Sequence, residues 1–264
     1  MKNFLKTVLA VITGIILTSF IFFFFMIVAI GAMISSGSKP VTISDKSVLL
    51  FKSGVPVPDR GNPNPTLVLD PTNMSFAPST GLNDILSNIR KAETDDKIKG
   101  ILIETGLLPS GWATASEIRQ ALLEFRETGK FVISYTDYIL SQEAYYISSA
   151  ADKIYINPEA TIELKGISAE VMFYKKALEK IGVEVQVIRH GKFKGAVEPF
   201  LLDRLSEENR EQISSFTGSI WNNVVSDISA ARNIDAAEIN RIADLLLASD
   251  PDEALSLKLI DGLL

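Results

Sequence analysis

Hydrophobic positions along this chain change period several times, and each change marks an element. The first run has no period at all. Between Lys6 and Lys39 no charged residue occurs, and residues 7–34 carry Phe20, Phe22, Phe23, Phe24 and Phe25 among aliphatic neighbours. A helix of about 20 apolar residues crosses the hydrocarbon of a bilayer, so this run is long enough to span it with some tilt. A cleaved signal peptide is the competing reading, because Lys2 and Lys6 precede an apolar run that ends near the small residues Gly31, Ala32, Ser35 and Ser36. The apolar core of such a peptide is usually only about 7–15 residues, which favours a retained anchor. The two lysines put residues 1–6 in the cytoplasm by the positive-inside rule. The chain beyond Lys39 is then expected on the extracytoplasmic, periplasmic side of an inner membrane that it crosses once.

Residues 35–46 read as a juxtamembrane linker and 47–264 as one domain. In that domain 48–51 is expected to be a first buried strand. Residues 54–78, with Pro56, Pro58, Pro63, Pro65, Pro71 and Pro78, read as an extended surface loop, since proline lacks the helical donor and clashes with the preceding turn. Leu82, Ile85, Leu86 and Ile89 share a helical face, and 101–103 is a short apolar run of the kind found in sheets covered on both sides. Thr114 and Glu117 form a capping-box pattern that opens a helix with Ile118, Leu122 and Phe125 inward, closed by Gly129. A strand at 131–134, a helix at 141–151, a strand at 153–156 and a helix at 168–181 follow. Val183, Val185 and Val187 alternate with Glu184 and Gln186 as in a half-buried strand. Ser206 caps a long helix with Glu207 and Glu208 in its first turn and Ile213, Phe216, Ile220, Val224 and Ile228 along one stripe. Repeated strand-helix units imply an α/β domain with right-handed crossovers.

Composition then narrows the chemistry. The chain has no cysteine, which removes disulfides, thiol nucleophiles and thiolate metal sites together. Its single histidine, His190, leaves no multi-histidine metal site within one chain and one possible base for a Ser-His-Asp triad. A formal net charge of −6 argues against a nucleic-acid partner, because phosphate contacts need clustered cations.

The remaining candidate chemistry lies in residues 189–200, RHGKFKGAVEPF, where the alternating segment gives way to helix. One reading makes Lys192 and Lys194 solvated loop cations. The other notes that residues two apart in extended chain point the same way, so each cation disfavours charge on the other, and burial lowers a lysine pKa further. A neutral amine can accept a serine proton, so Ser-Lys hydrolysis needs no histidine.

Residues 191–200, GKFKGAVEPF, resemble the base-bearing segment G-x-[YF]-K-[SG]-A-x-E-P-[FY] of the N-terminal repeat in the signal peptide peptidase A (SppA) family, of the long tandem-repeat type. Residues 144–155, AYYISSAADKIY, are similar to that family's strand-and-helix core. The resemblance implies a crotonase-like α/β fold and a membrane-bound serine endopeptidase that degrades cleaved signal peptides. It matches the lysine of the family's Ser-Lys dyad to Lys194 as general base. No cofactor is implied. The expected partners are membrane lipid through the N-terminal helix, apolar signal-peptide-like segments, further copies of the chain in an oligomer, and a C-terminal repeat, absent here, that carries the serine.

That serine sits in a motif of the form A-S-G-G-Y-Y. The matching stretch here ends in Tyr145 and Tyr146, and counting back puts Gln142 at the nucleophile position, with Glu143 and Ala144 in place of the glycines. A carboxylate beside a developing oxyanion opposes its stabilisation. Ser141 is offset by one residue, about 100° around a helix start, and reads as an N-cap. His190 reads as a loop residue. This half is therefore expected to supply the base and not the nucleophile. A non-catalytic scaffold repeat is the alternative, and a coenzyme-A-using lyase on the same fold is a third reading, opposed by the anchor and by Glu143.

Overall fold

The computed structural model describes residues 2–35, 42–69, 74–188, 190–191 and 193–264. The chain divides into two compact units, Met1–Ser44 and Asp45–Leu264. Among its described residues the first holds one helix, α1 (Lys2–Ser35). Its segment Lys6–Val28 has mean hydropathy 2.7 and no buried share, so it is long and apolar enough to cross a membrane. A helix apolar on every face suits hydrocarbon on every face.

The second unit is built on a five-stranded parallel sheet. The chain enters through β1 (Ser47–Phe51), then an antiparallel pair, β2 (Asn62–Leu69) and β3 (Met74–Ser79), with Thr66 opposite Ala77. The loop expected at 54–78 thus contains a hairpin. Its register slips between Asn62 and Thr66, where Pro63 and Pro65 have no N–H to give a ladder. Pro71 lies outside the described residues. There follow α2 (Leu82–Thr94), β4 (Ile98–Ile103), α3 (Trp112–Glu127), β5 (Phe131–Thr136), β6 (Ile139–Leu140), α4 (Gln142–Ser148), β7 (Lys153–Ile156) and β8 (Thr161–Ile162). The unit closes with α5 (Lys175–Lys180), α6 (Glu198–Leu201), α7 (Glu207–Arg232), α8 (Ala236–Leu245), α9 (Pro251–Ser256) and β9 (Gly262–Leu263).

The sheet order is β1-β4-β5-β7-β9, with Gly100 beside Phe131, Ile133 beside Lys153 and Tyr155 beside Gly262. Ile101, Ile103, Val132, Ile154 and Ile156 are fully buried, as are Ile118, Leu122 and Phe125 of α3. Each such side chain contributes about 1.5–3 kcal/mol on leaving water. Gly129, at φ +82, supplies the left-handed turn that ends α3.

Four expectations need correction. In the edge strand β1 Val48 and Leu50, on one face, are 45% and 51% exposed while Phe51, on the other, is buried, so one face of the strand is open. Helix α3 starts at Trp112 with Gly111 as its cap, not at the Thr114 box; the earlier start sets the Trp112 ring edge-on to Tyr146 at 5.8 Å. The helix expected at 168–181 is only Lys175–Lys180. The alternating segment at 183–188 forms no ladder among the described residues. Alternation is intrinsic to a sequence, whereas a strand needs a neighbouring edge.

Candidate functional site

The loop that carries Lys194 is held by the N-terminus of α7. Ser206 caps that helix and its hydroxyl accepts the Asn209 N–H at 3.2 Å. The Glu198 carboxylate, 1% exposed, accepts the Ser206 hydroxyl at 2.6 Å, the Ser206 N–H at 3.1 Å and the Asn209 side-chain amide at 3.0 Å. A buried carboxylate is stable only when hydrogen-bonded in this way, and the positive end of the helix dipole adds to the effect. Gly195 lies against the same asparagine: a Cβ there would meet Asn209 Cγ and Nδ2 at 2.4 Å. The glycine and the glutamate of the motif thus have structural duties, fixing where the residue before Gly195 can be.

That residue is Lys194. It immediately precedes the short 3-10 turn Gly195–Val197 and its side chain is exposed. It borders a depression of about 330 Å³ with Phe193, Ala196, Asn209, Gln212, Ile213 and Phe216. Phe193 and Phe216 are 54% and 67% exposed, so Lys194 stands beside aromatic surface that no described residue covers. Lys192 and Arg189 lie outside the described residues. His190 is an exposed loop residue and borders neither this depression nor the groove beside it.

The groove, of about 830 Å³, runs on from the depression, with Ile213 and Phe216 lining both. Trp112, Tyr146, Ile167 and Ile220 complete its apolar walls. The Tyr146 hydroxyl donates to the Asp227 carboxylate, and the Arg119 guanidinium sits 5.2 Å over its ring. Burial, and then the bond to Asp227, pushes the Tyr146 pKa up to about 12, so the phenol remains a neutral donor. Sequence reasoning missed this Arg119–Tyr146–Asp227 cluster, because residues 119, 146 and 227 are brought together only by packing. It missed the exposed half of the α7 stripe for the same reason: Val224 and Ile228 are buried as read, but Phe216 is not.

The position that the resemblance matches to the nucleophile is closed. Gln142 is 5% exposed. Its carboxamide oxygen accepts the N–H groups of Lys165 and Gly166 at 2.7 and 3.0 Å, and its amide donates to the Gly166 carbonyl at 2.9 Å. Ser141 is the N-cap of α4, its hydroxyl accepting long bonds of 3.4 Å from the N–H groups of Ala144 and Leu108. The Ser141 N–H is itself spent on the Gly106 carbonyl at 2.7 Å. Neither Ser141 nor Gln142 borders the depression at Lys194 or the groove.

Comparison with known proteins adds the following. The family model described as Peptidase family S49 matches residues 124–264, a stretch that holds both Lys194 and Gln142. The chain is 33% identical to a protein named Protease 4 from Haemophilus influenzae, over 81% of this chain and 35% of that one. It is 33% identical to Protease 4 of Salmonella typhi, over 92% of this chain and 42% of the relative. Serine protease SPPA, chloroplastic, of Arabidopsis thaliana is 31% identical over 62% of this chain and 24% of its own length. The chain therefore spans well under half the length of these relatives.

Proposed function

The chain belongs to peptidase family S49, with the crotonase-like α/β fold of that family in its parallel sheet, and we propose that it is the base-supplying, membrane-anchored half of a serine endopeptidase that degrades apolar signal-peptide remnants. Lys194 takes the proton of a serine carried by a homologous domain. That serine attacks the peptide carbonyl, and the protonated amine then returns the proton to the leaving nitrogen. The observation that carries this reading is the contrast between two positions. Lys194 is presented on a braced loop beside apolar surface, whereas Gln142 is buried and hydrogen-bonded to 165–166 where the family's motif has serine. Substrate and the serine-bearing domain cover Phe193 and Phe216 in the assembled enzyme. Further exposed apolar residues, Met172 at 70%, Ile181 at 72% and Ile188, fit association with such domains in an oligomer. Helix α1 anchors the assembly, with residues 1–6 in the cytoplasm and the domain on the periplasmic face of the inner membrane.

The test uses the enzyme assembled with its serine-bearing repeat and an apolar fluorogenic peptide. Lys194→Ala should lower kcat/KM by about 10²- to 10⁴-fold. Lys194→Arg should be as inactive, since guanidinium does not give up its proton, and Lys192→Ala should have the smaller effect. The isolated chain should not turn over at all. Near wild-type cleavage by Lys194→Ala would leave the scaffold reading in its place.

A further inference from the structure

Helix α7 is embedded in the domain over its second half and braces the Lys194 loop with its first turn. From Arg210 to Asn223 no residue is buried, whereas Val224, Val225 and Ile228 are. The Trp221 indole N–H donates to the Asn240 side chain of α8 at 2.7 Å. In the last turn Arg232 donates to the Lys258 carbonyl and to the Asp261 carboxylate, each at 3.0 Å. The turn that meets Gly195 and Glu198 is thus carried on a projecting length of helix. At about 1.5 Å per residue Asn209 stands about 27 Å along the helix from Asp227, so a tilt of about 5° at Asp227 displaces Asn209 by about 2 Å.

Polar bonds converge on α7 at Asp227. Its carboxylate accepts the Tyr146 hydroxyl of α4 and lies 3.7 Å from the Arg119 guanidinium of α3, while its backbone carbonyl accepts another Arg119 N–H at 3.0 Å. Arg119, 6% exposed, also donates to the Ser149 hydroxyl at 3.3 Å, and that hydroxyl donates to the Tyr146 carbonyl at 2.7 Å. One residue of α7 is therefore tied by side chain and backbone to two other helices. Charge-assisted bonds fix direction, which apolar burial, being non-directional, does not. Asp227 borders neither the depression at Lys194 nor the groove. We propose that Asp227, clamped by Arg119 and Tyr146, is a positioning residue that sets the direction of α7 and, through Asn209 and Glu198, the place of Lys194. This deepens the reading of Lys194 as general base and rests on it. A misplacement of about 1 Å at the reacting groups can cost about 10²-fold in rate, so a small tilt is enough to matter.

The test has a structural and a kinetic arm. The chain has no cysteine of its own, so the full chain in nanodiscs takes spin labels only where they are introduced. Gln120→Cys paired with Glu211→Cys, and Gln120→Cys paired with Asn222→Cys, place them at exposed sites, and double electron–electron resonance measures each separation. Asp227→Ala and Tyr146→Phe should each shift or widen the Glu211 separation by about 2 Å and the Asn222 separation by about a third as much, as the lever arms require. Asp227→Asn, whose carboxamide oxygen still accepts the Tyr146 hydroxyl, should restore most of the parental distribution. In the enzyme assembled with its serine-bearing repeat, well below the melting temperature of every variant, Asp227→Ala should lower kcat at least about ten-fold and leave KM within about two-fold. Equal changes at Glu211 and Asn222, or none at either, would overturn the lever whatever Lys194 does. A shift at Glu211 without loss of kcat would overturn the positioning role, and Lys194→Ala assayed beside it shows whether the general-base reading falls as well.

Discussion

Ser141 and Gln142 stand one position apart, and their environments give them different duties. Ser141 caps α4 through a hydroxyl with two long bonds. Ser141→Ala should therefore cost about 1 kcal/mol of stability and leave cleavage by the assembled enzyme unchanged. Thermal unfolding and turnover measured on the same preparation check this, and lost turnover would make Ser141 the nucleophile. Asp261 gives a pH-dependent counterpart. Burial pushes its carboxyl up, but the Ile154 N–H, Lys153 and Arg232 together hold it below the usual carboxylate range. A depressed folded-state pKa contributes stability that is complete above the unfolded value and lost as pH falls through the folded one. Asp261→Asn should lower stability at neutral pH by about 2 kcal/mol, as expected for bonds to a charged group. The melting curves of variant and parent should converge below the folded-state value.

At the scale of elements, α7 organises the candidate site from both of its halves. Its N-terminus receives Glu198 and Gly195, Gln212, Ile213 and Phe216 wall the depression, and the groove wall runs on through Ile220 and Val224 into its second half. Because the contact between Gly195 and Asn209 is closer than any Cβ tolerates, Gly195→Ala should push the loop off the helix and destabilise the domain by about 1–3 kcal/mol. Asn209→Ala removes the obstructing amide but also a bond to Glu198, so alone it should cost less than about 2 kcal/mol. In combination the two should be less damaging than their sum, a coupling that a double-mutant cycle in unfolding experiments measures directly. Strict additivity would mean that the loop does not rest on Asn209.

For the whole molecule the unequal distribution of apolar surface has two consequences. Every side chain of the Lys6–Val28 segment is open to its surroundings, a state that water penalises and hydrocarbon does not. Protein isolated from cells should stay in the pellet after alkaline washing of membranes and should retain Met1. Soluble material beginning near Ser35 or Ser36 would identify a cleaved signal peptide. In the α/β domain Phe193 and Phe216, which border the depression at Lys194, are exposed, as are Met172 and Ile188 elsewhere in the sequence. Apolar surface is thus left open around the presented cation, and the proposed function covers it with substrate and a homologous domain.

What the sequence determined by itself were features set by near neighbours. The apolar run of α1, the buried stripe of α3, Gly129 at its end, the strand at 153–156, and the caps Ser206 and Ser141 all follow from periodicity or from side chains that reach only a few residues. The motif in 191–200 was legible for the same reason. Tertiary structure decided everything that depends on which distant segments meet. It set the order of the sheet and left 183–188 without a ladder. It drew Glu198 to Asn209, opened the first half of the α7 stripe, and made Gln142, expected from the motif to stand at the nucleophile position, a strut for 165–166. Helical and strand periods are local properties of a chain, but a hydrogen bond or cavity between remote residues is fixed only once the core has packed around it.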